Sequence, residues 1–82
     1  MSKKPKDQTF DELVILERQK QDQKWGEQNH YPVRWITILG EEFGELCNAT
    51  LEGNQTALEK ELIQVAAVCK AMWESGKRNN WL

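Results

Sequence analysis

The chain has 82 residues, a formal net charge of −2, and ordinary shares of apolar (39%) and charged (29%) side chains. These values are typical of one small globular domain rather than a disordered chain, and they give no reason to expect nucleic acid as a partner. No apolar run is long enough to span a membrane and the Lys-rich start lacks the apolar stretch of a signal peptide, so we expect a cytoplasmic protein. A domain of this size buries only about 60% of its unfolded surface, which favours oligomerisation.

The first part of the chain divides into a tail and a helix. Residues 1–8 are charged and polar, which predicts a loose tail ahead of a single domain at 9–82. Thr9 fits the N-cap of a helix that we expect to run from 10 to about 24. The second half of this helix, 17–24, is wholly polar, and it forms either a solvated face or the wall of a polar cleft. The residues expected to line such a cleft are Arg18, Gln21 and Asp22.

A loop rich in aromatic residues is expected at 27–34. Trp25, His30, Tyr31 and Trp35 lie within eleven residues of one another in sequence. Two interpretations stay open. The aromatic side chains either fill the top of a small core or form a pocket wall on which a nucleobase stacks, because any flat aromatic ring offers a π face.

Two longer helices are predicted after this loop. The first spans about 33–52 and ends at Gly53, and the second spans about 56–75, with its first residue, a threonine, as N-cap. Joined by a short turn, these helices should pack as an antiparallel hairpin. With the helix at 10–24 they make an all-α chain, since no stretch alternates as a strand does. Cys47 and Cys69 lie in apolar helical patterns and are interpreted as small core residues.

Three carboxylates fall within five residues of the helix predicted at 33–52, inside an otherwise apolar run. Glu42 and Glu45 are three residues apart, and Glu41 and Glu45 are four apart, so their side chains can converge on a helix. Like charges at this spacing repel, and no Lys or Arg occurs between Arg34 and Lys60 to offset them. A hard divalent cation with oxygen ligands is the simplest source of the missing positive charge.

The third helix supplies a further carboxylate. Glu45 precedes the turn by about eight residues, or roughly 12 Å of helix, and Glu61 follows it by a comparable distance, so antiparallel packing should make them face each other. Magnesium suits such a site because it binds a few carboxylates together with waters and phosphate oxygens, a combination typical of phosphate-ester or anhydride hydrolysis. The alternative is that these glutamates form a solvated face of a helical bundle.

The pattern of acidic residues resembles a known signature. The residues that carry it are Glu41, Glu42, Glu45, Glu61 and Gln64. They are similar to the Glu-Glu-x-x-Glu and Glu-x-x-Asp motifs of the all-α nucleoside triphosphate pyrophosphatases, most of all the small MazG-like proteins common in phages and mobile elements. The stretch 25–35 also resembles the loop ahead of the metal-binding helix in that family, so the resemblance covers about 17–73.

The resemblance implies an oligomeric, four-helix-bundle-like fold, with homodimers often paired into homotetramers, that binds Mg²⁺ or Mn²⁺. The implied reaction cleaves a nucleoside triphosphate into a monophosphate and pyrophosphate. By position, the resemblance assigns metal binding to Glu42, Glu45 and Glu61. It assigns contact with the base to Trp25 and a place in the substrate pocket to His30.

One position departs from the family pattern. Gln64 stands where the family has Asp; its amide oxygen can still bind a cation, but the site loses one negative charge, which predicts weaker metal binding, a different metal preference or loss of activity. Glu41 is the candidate for orienting or deprotonating the attacking water, and Lys70 is the preferred candidate for phosphate contact.

Longer family members have a fourth helix, whose place at the interface is expected to fall to Trp73 and Trp81.

Three functions therefore stay open from the sequence. The favoured one is a metal-dependent nucleotide pyrophosphohydrolase. The second is a nucleotide-binding sensor or decoy that has lost turnover, for which the missing negative charge in the second motif is the main support. The third is a helical oligomerisation module, for which the wide apolar surface of the third helix is the main support.

Overall fold

The computed structural model describes residues 8–82, so nearly all of the predicted tail at 1–8 lies outside the described residues. The chain forms three α-helices: α1 (Phe10–Trp25), α2 (Pro32–Glu52) and α3 (Gln55–Arg78). No strand occurs in residues 8–82, which confirms the predicted all-α class. None of the helices in this range is both long enough and apolar enough to cross a membrane.

Local capping signals account for the ends of α1 and α2. Thr9 caps α1 as predicted: its side chain accepts a hydrogen bond from the backbone N–H of Glu12, 3.1 Å away, and the Glu12 side chain reaches back to complete the capping box. α2 begins one residue earlier than predicted because Pro32 suits the first helical position, where no N–H is needed. Gly53 ends α2 in the left-handed conformation (φ 68°), which glycine adopts without steric cost.

The start of α3 differs from the prediction. Asn54, not Thr56, is the N-cap, and its side-chain oxygen accepts a hydrogen bond from the backbone N–H of Ala57 at 3.0 Å. Asn is at least as good an N-cap as Thr, so the earlier of the two competing signals begins the helix. The connection between α2 and α3 is therefore tighter than predicted, with Gly53 and Asn54 alone between them.

The end of α3 also differs from the prediction. The helix was expected to stop at about Ser75, before a glycine, but it continues through Gly76 to Arg78. The last residues fold back, and the backbone N–H groups of Trp81 and Leu82 both donate to the carbonyl of Gly76, at 3.0 and 3.2 Å. A side chain at position 76 would collide with that of Leu82. This glycine therefore permits a close approach rather than ending the helix.

α3 is the central helix. Both α1 and α2 pack against it, and within the described residues they do not pack against each other. The core between α2 and α3 consists of Trp35, Val68 and Ala71, flanked by Ile38, Leu39, Met72 and Trp81. Trp81 is partly buried against the core of its own chain, and its expected place at an interface stays a prediction. Trp73, by contrast, is 58% exposed.

A partly buried ion network holds α1 on α3. The guanidinium of Arg18 donates from Nε and Nη2 to one carboxylate oxygen of Glu74, at 3.1 and 2.9 Å. Its other contacts are with Gln21 and Asp22 on its own helix, at 3.0 and 3.1 Å. Arg18 was expected to line a polar cleft, and together with Asp22 it lines a polar pocket of about 490 Å³ between α1 and the end of α3. Its side chain is only 11% exposed and also serves helix packing. Of the three residues expected in the cleft wall, only Gln21 lines the cleft described below.

The side of α2 that faces away from α3 is apolar and exposed. Its members are Val33, Ile36, Gly40, Phe43, Gly44, Cys47 and Leu51, which we call the α2 stripe. Cys47 and Cys69 are both exposed, which corrects their interpretation as core residues. The apolar surroundings were misleading because α2 carries apolar residues on two opposite faces, of which only one packs against α3.

Candidate metal centre and adjoining cleft

Three carboxylates from two helices converge in the structure. One side-chain oxygen from each of Glu42, Glu45 and Glu61 lies within 4.8 Å of the other two. Glu42 and Glu45 occupy successive turns of α2, and Glu61 lies on α3 beyond the Gly53–Asn54 turn. The antiparallel packing of the two helices thus brings Glu45 and Glu61 together, as the lengths of helix on either side of the turn predict.

The carboxylates lie in an electrostatically unfavourable place. With both groups ionised, Oε2 of Glu42 and Oε2 of Glu61 are buried and meet no hydrogen-bond donor among the described residues. The pKa of Glu42 is raised from 4.5 to about 7, first because burial disfavours its charged form and then because Glu45 and Glu61 are negatively charged. Two carboxylates only accept hydrogen bonds, so a proton on Glu42 lets it donate to Glu61, and this contact raises the pKa further. The charge of Glu41 adds a smaller effect in the same direction.

These residues fit a hard divalent cation. Buried carboxylate oxygens without partners are costly, and a cation satisfies them directly. The three oxygens lie within 4.8 Å of one another, so modest side-chain shifts would let all three contact one Mg²⁺, which binds oxygen ligands at about 2.0–2.1 Å. Mn²⁺ accepts the same carboxylate ligands. Gln64 lies one turn after Glu61 on α3, where an amide oxygen can join them.

A cleft of about 720 Å³ opens beside the triad. Its walls come from α1, the loop after α1 and the first half of α2, and its floor is α3. Glu41, Glu42 and Gln64 line it, so it reaches the candidate metal centre. Along α2, Glu42 lies seven residues beyond Trp35, which also lines the cleft. This spacing makes the cleft at least about 10 Å long.

The four aromatic residues of the loop region have different surroundings: Trp35 is a core residue at the edge of this cleft, Trp25 and His30 line the cleft, and Tyr31 is exposed outside it. Trp35 is 2% exposed and belongs to the core, while Trp25 is 61% exposed and lines the cleft together with His30. The ring of His30 meets that of Trp35 edge-on, with 4.9 Å between centroids. The ammonium of Lys24 lies 4.7 Å from the centroid of the Trp25 ring. The core interpretation therefore holds for Trp35, while Trp25 and His30 line the cleft, where stacking on a nucleobase stays a prediction.

The cationic residues of the cleft are not those that the sequence favoured. Lys70 does not line the cleft, whereas Lys20, Lys24 and Arg34 do. None of these three forms an ion pair within the described residues. The sequence could have indicated these cationic residues, because Lys20 and Lys24 are four residues apart and therefore share one face of α1. It was missed because a polar half-helix is more often a solvated face.

Comparison with known proteins adds no assignment to this geometry. Neither protein-family models nor curated proteins nor solved structures gave a match to the chain. The carboxylate triad and the cleft beside it are therefore the features on which a function is proposed.

Proposed function

We propose that the protein is a metal-dependent pyrophosphohydrolase that cleaves a nucleoside or deoxynucleoside triphosphate to the monophosphate and pyrophosphate. One observation carries this proposal: the side chains of Glu42, Glu45 and Glu61 converge, and two of them bury an oxygen that has no hydrogen-bond partner. The resemblance of the acidic motifs to the MazG-like pattern supports the same activity.

Each acidic residue has a proposed role. Glu42, Glu45 and Glu61 hold Mg²⁺ or Mn²⁺, and Gln64 is a neutral fourth ligand. The cation, when bound, supplies positive charge to the phosphates and lowers the pKa of a coordinated water. Glu41 is exposed, lines the cleft and is not a member of the triad, so we assign it the orientation or deprotonation of the attacking water.

The rest of the cleft suits the other parts of a nucleotide. Lys20, Lys24 and Arg34 line a cleft that also contains carboxylates, and they have no ion-pair partner of their own in the described residues. A polyphosphate supplies the negative charge that such cations bind. We therefore assign the phosphate contacts to these residues in place of Lys70. The exposed ring of Trp25 is proposed to stack on the base, displacing the ammonium of Lys24 from its face.

The active form is proposed to be a homodimer or a dimer of dimers. The α2 stripe leaves large apolar side chains uncovered on one face of the hairpin, and no charged residue interrupts it. A second copy covering this face would supply the apolar burial that a domain of this size lacks.

Gln64 favours a second candidate function, nucleotide binding without turnover. Replacing the carboxylate of the family pattern by an amide keeps an oxygen ligand but removes one negative charge. Less negative charge weakens the hold on a divalent cation. A protein of this kind would sense or sequester nucleotides.

Calorimetry and a turnover assay separate these functions. Titration with Mg²⁺ and then with α,β-methylene analogues of the common nucleoside triphosphates measures binding, and pyrophosphate release from common and damaged triphosphates measures turnover. Binding with release supports the hydrolase, and binding without release supports the sensor. Absence of both contradicts the two proposals and leaves the oligomerisation module. Glu45→Gln should abolish the metal response, while Glu52→Gln, an equal change of charge outside the triad, should not.

A further inference from the structure

The loop at 26–31 closes one end of the cleft. It joins α1 to α2, and these two helices do not pack against each other within the described residues. Two of its residues, Gln28 and His30, line the cleft. The position of this wall therefore depends on what holds the loop in place.

The end of α3 holds the loop through two side chains. Arg78 donates from Nη2 to the backbone carbonyl of Gln28 at 2.9 Å and from Nε to Oδ1 of Asn29 at 3.1 Å, and its Nε lies 3.3 Å from a carboxylate oxygen of Glu27. Asn79 donates to the same Oδ1 of Asn29 at 2.9 Å. Three consecutive loop residues are thus tied to Arg78, the last residue of α3, and to Asn79, its C-cap.

Backbone hydrogen bonds join the two ends of the loop to the flanking helices, from the N–H of Gly26 to Asp22 and from the N–H groups of Arg34 and Trp35 to the carbonyl of Tyr31. Between these ends, the contacts with Arg78 and Asn79 are the only hydrogen bonds that tie the loop to another element of the described residues. The remaining side-chain contacts of Glu27–Asn29 are internal: Asn29 donates to Glu27 at 3.0 Å, and Gln28 lies 3.3 Å from the Nε2 of His30. The second of these contacts links the held segment to a residue of the cleft. Fixing the carbonyl of Gln28 therefore restricts both Gln28 and His30.

We propose that Arg78 and Asn79 are positioning residues for the nucleotide: they hold the loop so that Gln28 and His30 meet the bound ligand in one arrangement. This inference rests on the proposed function of the cleft. Neither residue lines the cleft, so both act through the loop. The planar fork of Arg78 suits this task, since it engages a backbone carbonyl and a side-chain oxygen together, which a lysine cannot do with the same geometry.

Arg78→Gln tests the proposal, with Lys77→Gln as the matched control. Both changes remove one positive charge from the last turn of α3, but Lys77 lies over the ring of Trp73 and not on the loop. In Arg78→Gln, the Kd for the α,β-methylene analogue and the KM for the triphosphate should rise about three- to tenfold. This is less than the direct loss of a hydrogen bond to a charged group would give, because the lost contacts act on the ligand only through the loop. The kcat and the midpoint of the Mg²⁺ titration should stay unchanged, because the loop contributes no ligand to the triad. Lys77→Gln should change none of these.

Asn29→Ala provides a second test that leaves α3 intact. It removes the oxygen that Arg78 and Asn79 share, and it should raise the Kd as Arg78→Gln does. In both variants the loop amides at 27–30 should exchange their hydrogens faster than in the wild type. If loop exchange accelerates in both variants while the Kd stays at the wild-type value, the positioning role is overturned and the proposed function stands. If wild-type protein binds none of the analogues in saturating Mg²⁺, the proposed function fails and the positioning role fails with it.

Discussion

At the scale of single residues, Glu42 has a pKa raised from 4.5 to about 7, because its carboxyl group is partly buried beside other carboxylates. Between these two values the native protein binds more protons than the unfolded chain does. The contribution of Glu42 to stability is therefore fully present below pH 4.5 and is lost as the pH rises through about 7. A metal ion competes with this proton, so metal affinity should rise over the same interval.

We expect the metal-free protein to lose stability as the pH is raised from 5 to 8. The free energy of unfolding attributable to Glu42 should fall by about 1–2 kcal/mol, after allowance for solvent screening of a partly exposed cluster. Urea denaturation in the presence of a chelator measures this at each pH. Glu42→Gln has no proton to lose and should flatten the profile, while Glu52→Gln should retain it. Equal profiles for wild type and Glu42→Gln would show that Glu42 has no raised pKa.

Binding of Mg²⁺ to the triad should stabilise the folded protein. Mg²⁺ binds only the folded state, so it should stabilise the wild type by about 2.7 kcal/mol at a hundred times its Kd. Glu45→Gln relieves repulsion within the triad and removes a ligand, and it should therefore give a more stable metal-free protein whose melting temperature no longer responds to Mg²⁺. Thermal melts with and without Mg²⁺ check both parts. A wild-type melting temperature that Mg²⁺ does not move would mean that the triad is a solvated acidic face.

Gln64→Asp should strengthen metal binding. The change adds a carboxylate one turn from Glu61, and an added unit charge close to the cation should lower the Kd for Mg²⁺ by about tenfold or more. Isothermal titration calorimetry measures the Kd, and pyrophosphate release shows whether turnover rises with it. An unchanged Kd would place Gln64 outside the coordination sphere.

At the scale of helices, a largely buried charged residue of α1, Arg18, forms an ion pair with α3. The guanidinium of Arg18 is 11% exposed on a side-chain basis, and Glu74 is its partner from the other helix. Removing the partner of a largely buried charge leaves that charge uncompensated, which costs more than losing an exposed ion pair.

Glu74→Ala should therefore destabilise the protein by about 1–3 kcal/mol. Asp22→Ala should cost less than about 1 kcal/mol, because the Asp22 side chain is 56% exposed and Arg18 keeps its bonds to Glu74. Chemical denaturation of the two variants in parallel gives both values. Similar losses for the two would mean that Arg18 does not rely on its partner across the helices.

At the scale of the whole molecule, we expect a second copy of the chain to cover the exposed apolar surface of α2. The α2 stripe covers about 100° of the helix circumference at 3.6 residues per turn. Val33 is 77% exposed and Phe43 is 52% exposed. A continuous apolar surface of this kind is unusual on a monomer and typical of an interface.

Phe43→Glu should convert the protein from a dimer, or a dimer of dimers, to a monomer. A charge placed in the middle of a shared apolar face is costly to bury, and in a symmetric interface it would occur on both subunits. Light scattering at micromolar concentration gives the mass of each variant. Ile15→Glu, at an exposed apolar residue of α1, is the control and should keep the wild-type mass. A stable, folded wild-type monomer would contradict the expectation.

Several features of the fold could be predicted from the sequence alone because they depend on near neighbours. Thr9 and Gly53 act on backbone groups within one helical turn, so the ends they produce do not depend on the rest of the molecule. The convergence of Glu42, Glu45 and Glu61 belongs to the same class, since helical periodicity and the length of helix on either side of one turn place them.

Other features were decided by the tertiary structure. Gly76 was expected to end α3, but the last residues of the chain fold back onto it. The ion pair between Arg18 and Glu74 joins two helices that are distant in sequence, so no local pattern predicts it. Tertiary packing also places Trp35 in the core while Trp25 lines the cleft. It likewise brings Lys20 into the cleft and leaves Lys70 outside it. Long side chains carry no local signal for their destination, because their free energy depends on which groups the packing of distant segments brings within reach.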